Sequence, residues 1–257
     1  MIGWRLFGPR GIPGQAPAEL TVRARKGASL DALPRLEPRL WASLCEGLRR
    51  QATARLVEVG ERLGASQLSP AGSEDLATRD YMLALDAYTA AGKLLDEAAT
   101  PPDFAGVLVL LDIAAHRFAA ANARHQGKRP PHVPRRCFYN PLHGPAAHES
   151  DRPRGNGRKR SAVRGAPRTR LPVCAGCLHL LQSKQSPDVL VTPVTVRAGR
   201  GRVAGVPVPY YAVPAAQSLW SATGFGCLPG CSDADLVARV LRGESRRAAA
   251  PRAAPPR

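Results

Sequence analysis

The feature that most constrains this chain is a set of metal-ligating residue types in its middle. Cys174-Ala175-Gly176-Cys177 places two thiols two residues apart. That spacing lets the backbone fold into a knuckle, so both thiolates can bind one tetrahedral ion. Gly176 suits the tight turn, where a backbone amide approaches a sulfur. A helix after Cys177 would aim its N-terminus at the thiolates and lower their pKa. Upstream, Cys137 and His143 can supply the other half of a four-ligand set. The expectation is one structural Zn2+ held by Cys137, His143, Cys174 and Cys177.

The layout is two ligands, an insertion, then two ligands at a helix start, and it resembles a treble-clef or related zinc module. Competing readings exist. Cys174 and Cys177 as a redox pair would need a βαβ context that the flanking sequence lacks. The cysteines could be small buried residues, and His148 or His179 could replace His143 as fourth ligand. Cys227 and Cys231 read as loop thiols rather than ligands of a second ion, and Cys45 as a packing residue on a helix.

Three amphipathic segments precede this region. Residues 38–64 carry Leu40, Leu44, Leu48, Leu56, Val59 and Leu63 at the helical period. Residues 74–99 repeat the pattern with Leu76, Leu83, Ala87, Ala91, Leu94 and Ala98, with Ser73 as expected N-cap. A third helix over 102–125 opens on Pro102-Asp103 and bears Phe104, Val107, Leu108, Leu111, Ala115 and Phe118. Short links between the three predict an antiparallel bundle. After Gly127 prolines interrupt the pattern, and Cys137 to Gly144 reads as a short strand into a turn. A short helix is expected after Cys177, a β-hairpin over 189–197 and 203–213 around Gly199-Arg200-Gly201, and a last helix over 232–242 capped by Ser232. The fold class expected is therefore α+β. Its divisions are an irregular segment 1–37, a helical bundle 38–126, a Cys/His module 127–242 and a disordered tail 243–257. Having few large apolar residues, the module should depend on metal, while the helices should fold without it.

Net charge is +17, from 37 basic and 20 acidic residues. Such an excess points to a polyanionic partner, nucleic acid or an anionic membrane face, unless the basic stretches are merely solvated. The densest stretch lies in 149–170, which reads as a loop carrying Arg152, Arg154, Arg158, Lys159, Arg160, Arg164, Arg168 and Arg170. The aromatic residues near it, Phe138 and Tyr139, are too few for a strong single-strand binder. No run approaches the length of about 18 consecutive apolar residues that reads as a membrane span. The start lacks a signal-peptide core, so a cytoplasmic location is expected, where cysteines serve as metal ligands or free thiols.

Catalysis finds little support. Cys137, Asn140 and His143 list the residue types of a thiol hydrolase but lie too close in sequence to form a relay. Gly199-x-Gly201-x-x-x-Gly205 sits inside an expected hairpin, not between strand and helix. A His-Asn-His nuclease would need its histidines after the second cysteine pair. No small-molecule cofactor is expected.

Arg136-Cys137-Phe138-Tyr139-Asn140-Pro141-Leu142-His143-Gly144-Pro145, Val173 to Cys177, Pro187 to Leu190, Pro209-Tyr210-Tyr211, Leu219 to Gly226 and Asp235 to Leu241 occur in an order that resembles a family of uncharacterised actinobacterial proteins. In these an Ala-rich helical segment precedes the Cys/His part, as Leu83 to Tyr88 does here, and many members carry membrane segments upstream. The resemblance covers roughly 75–242 and implies an architecture without an assigned activity; it also implies that Met1 need not be the natural start. The functional expectation is a non-enzymatic zinc-binding scaffold acting through protein contacts, with a basic nucleic-acid binder as the alternative and a zinc hydrolase as a remote third.

Overall fold

The computed structural model describes residues 37–65, 75–146, 148–151, 170–197 and 203–245. Helix α1 spans Pro38–Gly64, α2 Leu76–Glu97 and α3 Pro101–His125. In α1, Leu48, Ala52, Val59 and Leu63 turn inward. Leu40 and Leu44, expected on the same stripe, remain 72% and 46% exposed. They lie before Arg49, whose guanidinium donates to the Ala98 carbonyl at 3.1 Å where α1 meets the α2–α3 link.

The cap of α2 is Asp75, whose carboxylate accepts the Ala77 amide at 3.3 Å. The expected cap, Ser73, lies outside the described residues. The buried face of α2 is mostly alanine, with Ala84, Ala87, Ala90 and Ala91 fully covered. Small side chains let backbones approach closely, and α2 packs along α3. At the start of α3 the Asp103 carboxylate accepts from the Thr100 amide at 3.0 Å and the Thr100 hydroxyl at 2.6 Å, satisfying groups a helix start leaves open. From Phe104 to Leu111 every residue of α3 is buried. The expected one-sided stripe thus understates this helix, which is covered all round in its first half. Its length and composition would let it cross a membrane, but 67% of its most apolar window is buried inside the protein.

The second half of the chain is built from short pieces. Strand β1 (His148–Asp151) pairs antiparallel with β2 (Arg170–Val173), and helix α4 (Ala175–Gln182) follows at once. The expected loop over 149–170 therefore has ordered strands at its ends. Strand β3 (Val191–Arg197) pairs antiparallel with β4 (Val203–Pro209), while the turn expected at Gly199 to Gly201 lies outside the described residues. The second strand, expected to reach 213, stops at Pro209. Tyr210 there opens a 3-10 turn, its amide donating to the Leu190 carbonyl at 3.0 Å and its hydroxyl to the Phe138 carbonyl at 2.6 Å. Helix α5 (Leu219–Thr223) and α6 (Asp233–Leu241) complete the order. Ser232 caps α6 as expected, accepting the Asp235 amide at 3.1 Å.

One hydrophobic core runs through both halves, from Leu48, Ala87 and Leu111 to Phe138, Tyr210, Trp220, Phe225 and Leu236. The six-membered edge of the Trp220 indole meets α3 at Gly106, where a Cβ would stand 2.2 Å from the ring. Its Nε1 donates to Asp103 at 3.0 Å, and Phe225 stacks on it with ring centroids 4.9 Å apart. A charged seam accompanies this contact. Arg117 of α3 donates to Asp80 of α2 at 3.2 Å and to Asp233 of α6 at 3.1 Å, and Arg124 donates to Asp80 at 2.8 Å.

Candidate metal centre

Three backbone devices converge on one point. The first is the stretch at Cys137, which is not the expected strand but is fixed by the Phe138 amide donating to the Pro172 carbonyl of β2 at 2.8 Å. The second is the turn Asn140-Pro141-Leu142-His143. Its closing bond runs from the His143 amide to the Asn140 carbonyl at 3.1 Å, and the Asn140 side chain accepts the Leu142 amide at 3.1 Å. Asn first and Pro second are the residues such a turn favours, so the sequence itself delivers His143. The third is the β2–α4 junction, where Cys174 is the N-cap of α4 and its sulfur accepts the Cys177 amide at 3.4 Å. This is the expected knuckle, with the helix N-terminus directed at sulfur. A bond from the Ala146 amide to the Arg135 carbonyl, 2.8 Å, closes the loop that carries Cys137 and His143.

These devices gather one donor atom each from Cys137, His143, Cys174 and Cys177, all within 4.8 Å of one another. His143 Nδ1 lies 3.5 Å from the Cys174 sulfur and 3.3 Å from the Cys177 sulfur. A tetrahedron with metal–sulfur bonds of about 2.3 Å and a metal–nitrogen bond of about 2.0 Å has sulfur–nitrogen edges near 3.5 Å. The donor set and its spacing therefore fit a tetrahedral ion. Cys137 and Cys177 are buried, while Cys174 and His143 are half-buried. Burial opposes ionisation of Cys174, but hydrogen bonds from the Cys177 amide, the neighbouring thiols and His143 outweigh it and hold its pKa below the ordinary thiol value. Burial, and then the charge of Cys137, push Cys177 far up. A cation among these sulfurs would relieve both penalties.

The other candidates fall elsewhere. His179 points outward from α4 and is exposed. His148 begins β1, at the register position opposite Val173. The Cys227 thiol is buried and donates to the Arg136 carbonyl at 3.2 Å; burial pushes it up to about 11. Cys231 sits near the start of α6, and neither joins the cluster. Cys45 packs on α1 with its sulfur 3.9 Å from the Ala99 carbonyl. Of the basic residues expected to meet nucleic acid, Arg152, Arg154, Arg158, Lys159, Arg160, Arg164 and Arg168 lie outside the described residues; Arg170 begins β2 opposite Asp151. Phe138 and Tyr139, 1% and 2% exposed, are core residues and offer no face for a base to stack on.

A cleft of about 400 Å3 borders the turn, lined by Arg55, Glu58, Asp112, Leu142 and His143 among others. Its one arginine is engaged by Glu58 at 2.6 Å and by Asp112 at 3.5 Å. Sequence reasoning missed Asp188, whose carboxylate lies 3.0 Å from His143 Nε2. No spacing pattern flags it, because it reaches the site through tertiary structure alone.

Comparison of the chain with family models, with curated proteins and with solved structures finds no match.

Proposed function

We propose that the Cys3His cluster holds one structural Zn2+ and that the chain is a non-enzymatic scaffold. The observation that carries this is the approach of four soft and borderline donors, three sulfurs and one imidazole nitrogen, to within 4.8 Å of one another. Thiolates select zinc over magnesium or calcium, and tetrahedral sulfur–nitrogen sites are zinc's usual home. Once bound, zinc supplies a cross-link and neutralises thiolate charge. Four protein ligands fill a tetrahedral ion and leave no position for substrate, which favours a structural over a catalytic role. The residues do the rest: Cys137 ties the ion to the core stretch at Phe138, His143 to the Asn140 turn, and Cys174 and Cys177 to the β2–α4 junction.

In this reading α1 to α3 form an antiparallel three-helix bundle, the short α2–α3 link being the supporting feature. The six cysteines, all free, support a reducing compartment such as the cytoplasm. The test is metal analysis of protein purified without chelator. About one zinc per chain is expected, and Cys174→Ser should abolish it; folded wild-type protein without metal would end the proposal.

A second reading, binding of nucleic acid or another polyanion, is favoured by the β1–β2 ribbon. It ties the two ends of the basic insertion together beside Cys174. With the nearby aromatics buried, contacts would be to phosphate and independent of sequence.

A further inference from the structure

We infer that Asp188 is the positioning residue for His143: it fixes the ring's tautomer and orientation so that Nδ1 is presented as the fourth ligand. The inference rests on the metal reading above and adds a carboxylate to it. The two ring nitrogens of His143 face different surroundings. Nδ1 lies 3.5 Å and 3.3 Å from the two knuckle sulfurs, while Nε2 lies 3.0 Å from the Asp188 carboxylate. A neutral imidazole has one donor and one acceptor nitrogen. For Nδ1 to give its lone pair to a metal, the proton must sit on Nε2, and a carboxylate accepts there. Ligating histidines commonly donate their other N–H in this way, and the partner raises ligand basicity.

The backbone around Asp188 is held for this task. Two residues on, the Leu190 amide donates to the Tyr139 carbonyl at 3.0 Å, and the Leu190 carbonyl accepts from the Tyr210 amide at 3.0 Å. Those bonds tie the approach to β3 to the same stretch that carries Cys137, so Asp188 and the turn at His143 share one frame. The Asp188 side chain is 74% exposed, so as a plain ion pair it would contribute little. Nor is attraction to the ion the reason for its place. A divalent cation with three thiolates and a neutral imidazole carries a net charge of −1, which a further carboxylate does not offset. Its effect must pass through the ring.

The experiment measures Zn2+ affinity by competition with a chelator of known affinity, for wild type, Asp188→Ala and Asp188→Glu, each also in a His143→Cys background. Asp188→Ala should weaken binding about 10–100-fold, the usual loss for an outer-shell partner, with Asp188→Glu recovering most of it. In the His143→Cys background, where no ring remains to be oriented, Asp188→Ala should leave affinity unchanged. Equal affinity of wild type and Asp188→Ala overturns the inference, and so does an equal loss in both backgrounds. Should His143→Cys fail to fold, the His143 Nε2–H of the zinc-loaded protein decides: it should be shifted downfield and exchange slowly in wild type and lose both properties in Asp188→Ala, and an Nε2–H unchanged by the substitution overturns the inference. Wild-type protein that binds no zinc overturns the metal reading as well, whereas normal wild-type binding with an unaffected Asp188→Ala overturns this inference alone.

Discussion

Gly106 shows how much one residue's meaning depends on its neighbour. In a helix interior, Gly to Ala usually stabilises by about 1 kcal/mol. Here the new Cβ would stand 2.2 Å from the Trp220 ring, which is pinned by its bond to Asp103 and by the stacked Phe225. Gly106→Ala should therefore destabilise, by about 1–3 kcal/mol as overpacking of a core does, measured by urea unfolding. A gain in stability would show that the indole can move aside. Single residues were legible in the sequence where local chemistry determines their role. Cys174 and Cys177 are two residues apart, Asn140-Pro141 encodes its own turn, and from these signals the sequence pointed to the four residues whose donor atoms cluster within 4.8 Å. Asp188 and Gly106 were not legible, because each acts on a partner far along the chain that only tertiary structure brings near.

At the scale of elements, the seam joining α2, α3 and α6 is the most exposed to test. Asp80 accepts from both Arg117 and Arg124 and has a side chain only 10% exposed. Asp80→Ala would leave two half-buried guanidinium groups short of an acceptor, at a cost of about 1–3 kcal/mol. Because Arg117 also reaches Asp233, the loss should spread to α6, visible as faster amide exchange over Asp233–Leu241. Unchanged exchange there would confine the seam to α2 and α3. The β1–β2 ribbon carries a different expectation. If its basic insertion binds duplex DNA, log K should fall with log salt at about 0.9 per phosphate neutralised. Neutralising the arginines from 152 to 168 should flatten that slope, and a slope that stays the same would move the binding elsewhere. The long helices and the Ser232 cap were readable from periodicity and end signals. Helix α5 and the β1–β2 ribbon were not. Each is a handful of residues, too short to show a period, and each exists because Trp220 meets α3 or because β2 must deliver Cys174.

For the whole molecule, the sequence suggested helices that fold alone and a module after residue 130 that needs its metal. The core, however, continues from Leu111 through Phe138 and Trp220 to Leu236, and Arg117 bridges the same divide. We propose that the two halves unfold together. Far-UV helicity and the near-UV signal of the aromatic cluster should then melt in one coincident transition, as small cooperative units do. Two separated transitions would instead support the expected boundary near residue 130. Metal should raise that single transition, since an ion that binds only the folded chain stabilises it by mass action. Binding requires deprotonated thiols, and burial keeps the Cys177 proton on in the metal-free protein, so affinity should fall as pH is lowered.

All of this turns on whether the cluster of Cys137, His143, Cys174 and Cys177 holds an ion. The direct measurement is native mass spectrometry of the purified chain beside Cys174→Ser, with the metal identified by elemental analysis. One zinc per wild-type chain and none in the variant is expected. A folded wild-type chain at its bare polypeptide mass, or a variant that keeps its zinc, would contradict it.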